Sequence, residues 1–506
     1  MNKAATLLIA VCFFVIPLTT DAQISYNPVS MGLGGGGTSY ITGYDALFIN
    51  PANIQLREKN YRLQFSFAES GAYIDTPLRI RNAGKRFDTY TNLFNPPGYS
   101  EYLLSDGDRE TLLSRHYPAG RLDRQFRSAT SINWFGIKWF RDERSYAFSV
   151  RTRQSSRFTV GRGWYDVNPV ETNDGFEIDR TLSHSFQTLH EISFGYSESF
   201  SFLSGLFPRI SRFNIGIAPK IVISGASYST RYADSYTQSD AQSPWVRESS
   251  YSFESTGTFS EQAQQLATGF NPVVAGETQF GTSDLTRPAG IGAALDLGIT
   301  YIFTFGDDLS LIRRGEEATE KSLRLSLSVT DLGMIHHFDD PFRSELSTST
   351  SETDDPGSLS NYSYSGAVLQ DFQFLAADGI HPLQEAGIQN RGSYQSMLPT
   401  SIQSGVLFQI NRIKLMGDFS LGLNDNAFQS TKFKSFIGAE VRPFSFLPLR
   451  AGTRLATELP GYYSFGAGLE TTYFDVNAAV QFRSTAAGPT LEPVAASAVA
   501  IKFYIP

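Results

Sequence analysis

The chain has 506 residues, 42 Lys and Arg against 50 Asp and Glu, a formal net charge of −8, and 41% hydrophobic with 13% aromatic residues. Apolar and aromatic side chains spread along the whole length exclude an intrinsically disordered chain, and scattered bases under an acidic balance exclude a dedicated nucleic-acid binder, which gathers Lys and Arg on one face. The length allows about two to four domains of roughly 150 residues, or one closed sheet, because a barrel keeps a single unit over a long chain.

In chain order the first element is a leader. Lys3 heads an apolar run from Ala4 to Leu18, and small or polar residues precede a cut after Ala22, the layout of a secretory signal peptide over residues 1–22. Cys12, the single cysteine, falls inside it, so the expected mature chain has no disulfide and no thiolate nucleophile and is held by its own sheet or core. No later run reaches the eighteen or so apolar residues of a membrane helix. A soluble exported β-sandwich and an outer-membrane barrel are the two readings left.

The segment from Met31 to Asn53 comes next. Gly34, Gly35, Gly36 and Gly37 stand in a row, with no Lys-Ser/Thr pair after them and no strand before them, which argues against a phosphate loop and for tight turns and close approach of the backbone to a surrounding wall. Asp45 begins a helical turn, Phe48 and Ile49 follow as apolar anchors, and Asn50-Pro51 redirects the chain. The expectation is a compact insert before the first barrel strand.

From Tyr61 onward the pattern is that of strands. Tyr61 to Phe67 and Leu323 to Val329 alternate at every step; Val499 to Phe503, Ile413 to Leu421 and Phe474 to Phe482 repeat the theme. Strands are expected near 61–74, 128–140, 145–155, 184–198, 211–231, 287–303, 321–334, 401–411, 412–423, 432–442, 447–457, 462–471, 473–484 and 496–504, with Pro219 weakening the fifth. An even count then puts the long connections 75–127, 156–183, 232–286 and 335–400 on one side. The other side receives 141–144, the Asn411/Arg412 junction, 443–446 and Thr472, with 199–210 and 304–320 the longest. Long outside loops and short periplasmic turns are the pattern of a bacterial outer-membrane barrel. Residues 228–262 and 344–364, rich in Ser, Thr, Asp and Glu, read as surface loops, with a short helix over Glu261 to Leu266. Arg62, Arg324, Lys414 and Asp418 are expected on the polar faces, lining a hydrated lumen.

Catalysis finds no foothold. His184 and His190 lie in or beside a strand, and His336-His337 with Asp339-Asp340 starts a long connection without a defined third and fourth ligand. There is no HExxH or GxSxG sequence. The expectation is therefore a non-enzyme with no catalytic, cofactor-binding or metal residues.

On Gly32 to Gly37, Asp45-Ala46-Leu47-Phe48, Asn50-Pro51-Ala52 and the strand that opens at Tyr61, the chain resembles the FadL-type outer-membrane transport barrels and their Bacteroidota relatives, including PorV-like and uncharacterised exported barrels. Val329-Thr330-Asp331-Leu332-Gly333 is similar to a strand-end phrase of those proteins. The resemblance implies an all-β fold, a single transmembrane antiparallel β-barrel of 14 strands over residues 61–506, with residues 23–60 as a luminal hatch and long extracellular loops. Gly34, Gly35, Gly36, Gly37, Phe48, Asn50 and Pro51 are the hatch candidates. It implies an outer-membrane channel or transporter for a hydrophobic small molecule, embedded in outer-membrane lipid. The alternative is a non-enzymatic scaffold or surface interaction protein for secretion or attachment, which docks a protein partner on its extracellular loops.

Overall fold

The computed structural model describes residues 27–56, 61–74, 121–141, 143–164, 168–200, 211–267, 287–305, 321–353, 392–429, 433–456, 462–485 and 488–505, together with Glu110, Leu113, Ser114, Tyr117, Asp166 and Thr431. The expected signal peptide and most of the connections 75–127 and 335–400 lie outside these residues.

Among the described residues twenty strands follow one another: β1 (Leu63–Ile74), β2 (Asp123–Arg141), β3 (Arg144–Gly161), β4 (Val170–Thr172), β5 (Gly175–Asp179), β6 (Leu182–Phe200), β7 (Ser211–Ser224), β8 (Ser227–Gln238), β9 (Trp245–Thr256), β10 (Gly290–Thr304), β11 (Lys321–His337), β12 (Phe342–Thr353), β13 (Tyr394–Met397), β14 (Ser401–Ile410), β15 (Ile413–Gly422), β16 (Lys434–Phe444), β17 (Leu447–Ala456), β18 (Tyr462–Glu470), β19 (Phe474–Thr485) and β20 (Gly488–Ile505). Antiparallel pairing passes from β1 to β2, β3, β6, β7, β10, β11, β14, β15, β16, β17, β18, β19 and β20. It then returns to β1, where Leu63 lies opposite Ile505. Fourteen strands thus close a single antiparallel barrel, and closure leaves none of the fourteen as an edge.

Which face is apolar decides between sandwich and barrel. Along β11, Ser322, Arg324, Ser326 and Ser328 are buried, while Leu327, on the opposite face, is 44% exposed. Phe465 of β18 is 51% exposed, and Ile217, Ile299, Leu415, Ile437 and Phe503 share that outward face. A sandwich buries its apolar face. This sheet presents it outward and wraps its polar face around the interior, the inside-out arrangement that lipid demands.

Two β-bulges re-aim side chains into the interior. In β1, Ala68 takes φ +53° and the register against β20 shifts between Ser66 and Ser70, so that Phe67 points outward and Glu69 is buried. In β11, Asp331 takes φ +56° opposite a register shift at Leu295/Leu297 of β10, and its carboxylate turns inward.

The short links between β14 and β15, β16 and β17, and β18 and β19 lie at the mouth that also holds Leu63 and Ile505. At the opposite, far mouth the same sheet extends beyond the barrel: β4 pairs with β5, β5 with β8, β8 with β9 and with the far end of β6, and β9 with β12. The polar stretches 228–262 and 344–353, read as loops, are thus mostly strand. Their Thr and Tyr residues are strand formers, and Tyr228, Tyr232 and Tyr236 fall on one buried face of β8. The expected short helix is present over Thr258–Ala267. The segment 211–231 is two strands, and the break falls at Gly225-Ala226, beyond Pro219, which stays in register opposite Leu295.

Candidate functional site in the barrel lumen

Residues 27–56 occupy the lumen and are buried almost throughout. They begin with a single helical turn, Pro28–Gly32, whose N-terminal amides are capped by Asn27: its side-chain oxygen accepts from Val29 N at 2.8 Å and Ser30 N at 3.3 Å. Two 3-10 turns follow, Gly43–Phe48 and Pro51–Gln55, the second opened by Asn50, whose Oδ1 accepts from Ala52 N at 3.2 Å. Short turns of this kind leave many backbone groups without an internal partner, and the barrel wall supplies them. Ser328 Oγ donates to Ile49 O at 2.6 Å, Ser197 Oγ to Ala52 O at 3.0 Å and Lys138 Nζ to Leu56 O at 2.6 Å.

The glycines make this fit sterically. Gly34 takes φ +93°, and a Cβ there would lie 2.6 Å from Thr453 O of β17. A Cβ on Gly36 would lie 2.8 Å from Asp418 Oδ2 and 2.9 Å from Phe436 Cβ. The wall answers with glycines of its own. Gly216 of β7 faces Pro51, Gly298 of β10 faces Asn50, Gly195 of β6 faces Leu47 and Ile54, and Gly438 and Gly452 face Leu33.

Polar contacts fasten the segment all round. Asp418 of β15 accepts from Gly37 N, from Thr38 N at 2.9 Å and from Ser39 Oγ at 3.1 Å. Tyr40 donates to Glu440, Tyr44 donates to Glu69, and Lys502 pairs with Asp45. Asn50 Nδ2 donates to Thr300 Oγ1 at 3.0 Å, and Ile49 packs in an apolar cluster with Leu33, Tyr40 and Ile41 against Leu407, Met416 and Phe436. Phe48 sits under the Arg151 guanidinium, 3.6 Å from its ring centre. Gly34, Gly36, Gly37, Asn50 and Pro51 thus all touch the wall, and Gly35 turns the chain between them at φ +105°. Of the four charges expected in the lumen, Arg324, Lys414 and Asp418 are buried on the inner face. Arg62 is exposed at the rim, because the ladder begins one residue beyond it.

Sequence reasoning missed a buried ion cluster above the segment. Arg151 Nη2 and Arg153 Nη2 each lie 2.5 Å from Glu191. Arg153 Nη1 is 2.9 Å from Asp331, and Lys220 Nζ is 2.6 Å from both Asp296 and Asp331. Three acids meet three bases, the balance a buried set needs. The one sequence signal was Asp331, inside the Val329 to Gly333 phrase.

Sequence reasoning also missed the β15–β16 connection, which folds inward across the far mouth. Arg157 Nη2 donates to Asp425 Oδ2 at 2.9 Å, Ser155 Oγ to Ala427 O at 2.6 Å and Gln429 Nε2 to Thr400 O at 2.7 Å. Phe428 packs with Leu189, Val222, Ala294, Ile335 and Leu398 from other strands and from the β13–β14 connection. Between this roof and the N-terminal segment lies a small pocket lined by Phe48, Ile49, Arg151, Arg153, Gln403 and Phe428.

His184, His190 and His337 are each tied into side-chain hydrogen bonds. His184 bonds Tyr228 Oη at 2.6 Å and Ser156 Oγ at 2.7 Å, and His190 bonds Thr152 Oγ1 at 2.9 Å. His336-His337, expected in a connection, ends β11 instead, where His337 Nε2 lies 2.7 Å from Ser396 Oγ of β13. Among the described residues no group of three or more His, Cys, Asp and Glu is placed to hold a metal ion.

The sequence model of the Family of unknown function (DUF5723) matches residues 83–480. No curated protein matches the chain. Among solved structures the chain is similar to the P. putida toluene transporter TodX, at 11% identity over 95% of this chain and 98% of that one, with a TM-score of 0.42. It is similar to the Ralstonia pickettii toluene transporter TbuX at 12% identity over 96% and 99%, TM-score 0.39. A Pseudomonas aeruginosa FadL homologue shares 10% identity over 97% and 100%, TM-score 0.40.

Proposed function

The chain belongs to the DUF5723 family of unknown function, and from that premise and the filled lumen we propose that it is an outer-membrane channel for small molecules, closed at rest by its own N-terminal segment. In this reading residues 1–22 are a cleaved leader, 23–60 the plug and 61–506 the barrel, set in lipid by the outward apolar belt. The single observation that carries it is the fastening of residues 27–56 to the wall by side chains of β1, β2, β6, β11, β15, β16 and β20. Polar bonds of this kind seal a pore and are individually reversible, whereas a merely structural filling is served as well by apolar packing. Asp418 is the principal latch, since one carboxylate takes the amides of Gly37 and Thr38 and the Ser39 hydroxyl.

The test is single-channel recording in planar bilayers with the wild type and Asp418→Ala, after heat-modified migration has shown both to be folded barrels. The variant is expected to open more often than the wild type. Silence in both proteins overturns the channel reading.

A second reading, a surface scaffold that docks a protein partner, is favoured by the extension of the sheet through β4, β5, β8, β9 and β12 at the far mouth. Loss of that extension would then abolish partner capture and leave conductance unchanged.

A further inference from the structure

The outward face of β11 changes character toward the far mouth. Leu327 and Leu332 belong to the apolar belt, Met334 follows at 49% exposure, and His336, on the same face, is exposed as well. β13 runs alongside: Met397 stands opposite Met334 and Gln395 opposite His336, and Met397 is 52% exposed. Of the five methionines of the chain, Met31 and Met416 are buried and Met1 lies in the proposed leader. The remaining two face each other across a strand pair.

The pairing brings their sulfurs together. Leu398 N donates to Gly333 O at 3.0 Å, a ladder bond between residues that flank the two methionines, and this makes Met334 and Met397 a non-hydrogen-bonded pair. Such pairs set their Cα atoms about 4.5 Å apart and hold their side chains closer than the alternate kind. His336 is the next outward residue of β11, about 7 Å along the strand, and the three rotatable bonds of each methionine let both sulfurs turn toward it.

A thioether is a neutral, polarisable donor. Hard cations such as calcium and magnesium take oxygen instead, whereas thioethers select copper(I), for which imidazole is a suitable third ligand. Contact with lipid is served as well by Leu and Ile, and it gives no reason for an imidazole beside two sulfurs.

We propose that Met334, Met397 and His336 form a binding site for a soft monovalent metal ion of the copper(I) class, on the outward face of the barrel near its far mouth. The site stands whether or not the lumen conducts.

The experiment is calorimetric titration of the detergent-solubilised full-length barrel with silver(I) nitrate in chloride-free buffer, silver(I) being a soft monovalent ion that needs no reductant. Cys12→Ser is the background, so that no thiol competes whether or not the leader is cleaved. Saturable silver binding is expected. Met334→Leu and Met397→Leu keep the size of an outward side chain and so leave folding intact. Each is expected to weaken silver at least about tenfold, no less than the loss of an outer-shell partner costs a metal site, and His336→Ala to do the same. Zinc(II), titrated separately, should be indifferent to the two leucine variants. No saturable silver binding, silver binding unchanged in any of the three folded variants, or a zinc affinity that falls together with that of silver in the leucine variants each overturns the proposal.

Discussion

Glycine works in two opposite settings on this chain. On the inner segment it lets the backbone turn and touch the wall; on the wall it removes the side chain that would keep the segment away. Gly216 shows the second case, since a Cβ there would fall inside the van der Waals envelope of Pro51 and Ala52, whereas a Cβ on Gly417 of β15 meets nothing within 4 Å. Gly216→Ala is therefore expected to destabilise the folded barrel by about 1–3 kcal/mol, the usual cost of overpacking. Gly417→Ala should be neutral or slightly stabilising, because alanine costs less conformational entropy than glycine. Urea unfolding in lipid vesicles reads both; equal midpoints for the two variants would remove the steric argument. The run from Gly34 to Gly37 was legible because four glycines in a row have few uses. Gly195, Gly216, Gly298, Gly438 and Gly452 were not, because a lone glycine in a strand carries no mark of the distant residue it accommodates. The same holds for Glu69 and Asp331. An acid in an alternating strand reads as belonging to whichever face the count assigns, and only the bulge next to it or at it turns it inward.

At the scale of elements, the fourteen barrel strands were readable from period-two alternation, and their order around the ring follows from chain order once the far-mouth strands are set aside. What alternation could not show is the fate of the polar connections. Sequences such as β8 and β12 are poor in aliphatic residues, and composition reads them as loop, yet pairing of β8 with β6 and β9, and of β12 with β9, satisfies their backbones. The β15–β16 connection was invisible for a different reason: a turn-rich stretch gives no sign of whether it folds out or in, and Phe428 is placed inward by partners on five other elements. The arrangement makes a clear topological prediction. An epitope inserted after Ala241, in the turn where Asp240 Oδ1 accepts from Gln242 N and Ser243 N at 2.9 Å, should be reached by antibody on intact cells. One inserted between Asn411 and Arg412, in the tight link between β14 and β15, should be reached only after the outer membrane is opened. Immunofluorescence with the reverse pattern would invert the barrel.

For the whole molecule, the lumen is divided by two closures of different build. The roof hangs from two neighbouring strands and is clipped at its rim by Arg157 and Asp425, the latter largely exposed. The N-terminal segment is fastened deep inside by buried acids and bases on opposite walls, including Lys502 with Asp45 and Tyr40 with Glu440. In the proposed function the channel conducts only when the inner segment shifts, and that claim is open to a direct test because the only native cysteine is Cys12, in the proposed leader. Leu33 Cβ and a Cβ built on Gly438 are 2.9 Å apart, within an ångström of the spacing of about 3.5–4.5 Å that a disulfide takes. The decisive measurement is planar-bilayer conductance of the Leu33→Cys, Gly438→Cys double variant before and after reduction. Oxidised protein should be silent and open on addition of reductant. Identical conductance in the two redox states, with the crosslink verified by mass spectrometry, would contradict a mobile plug.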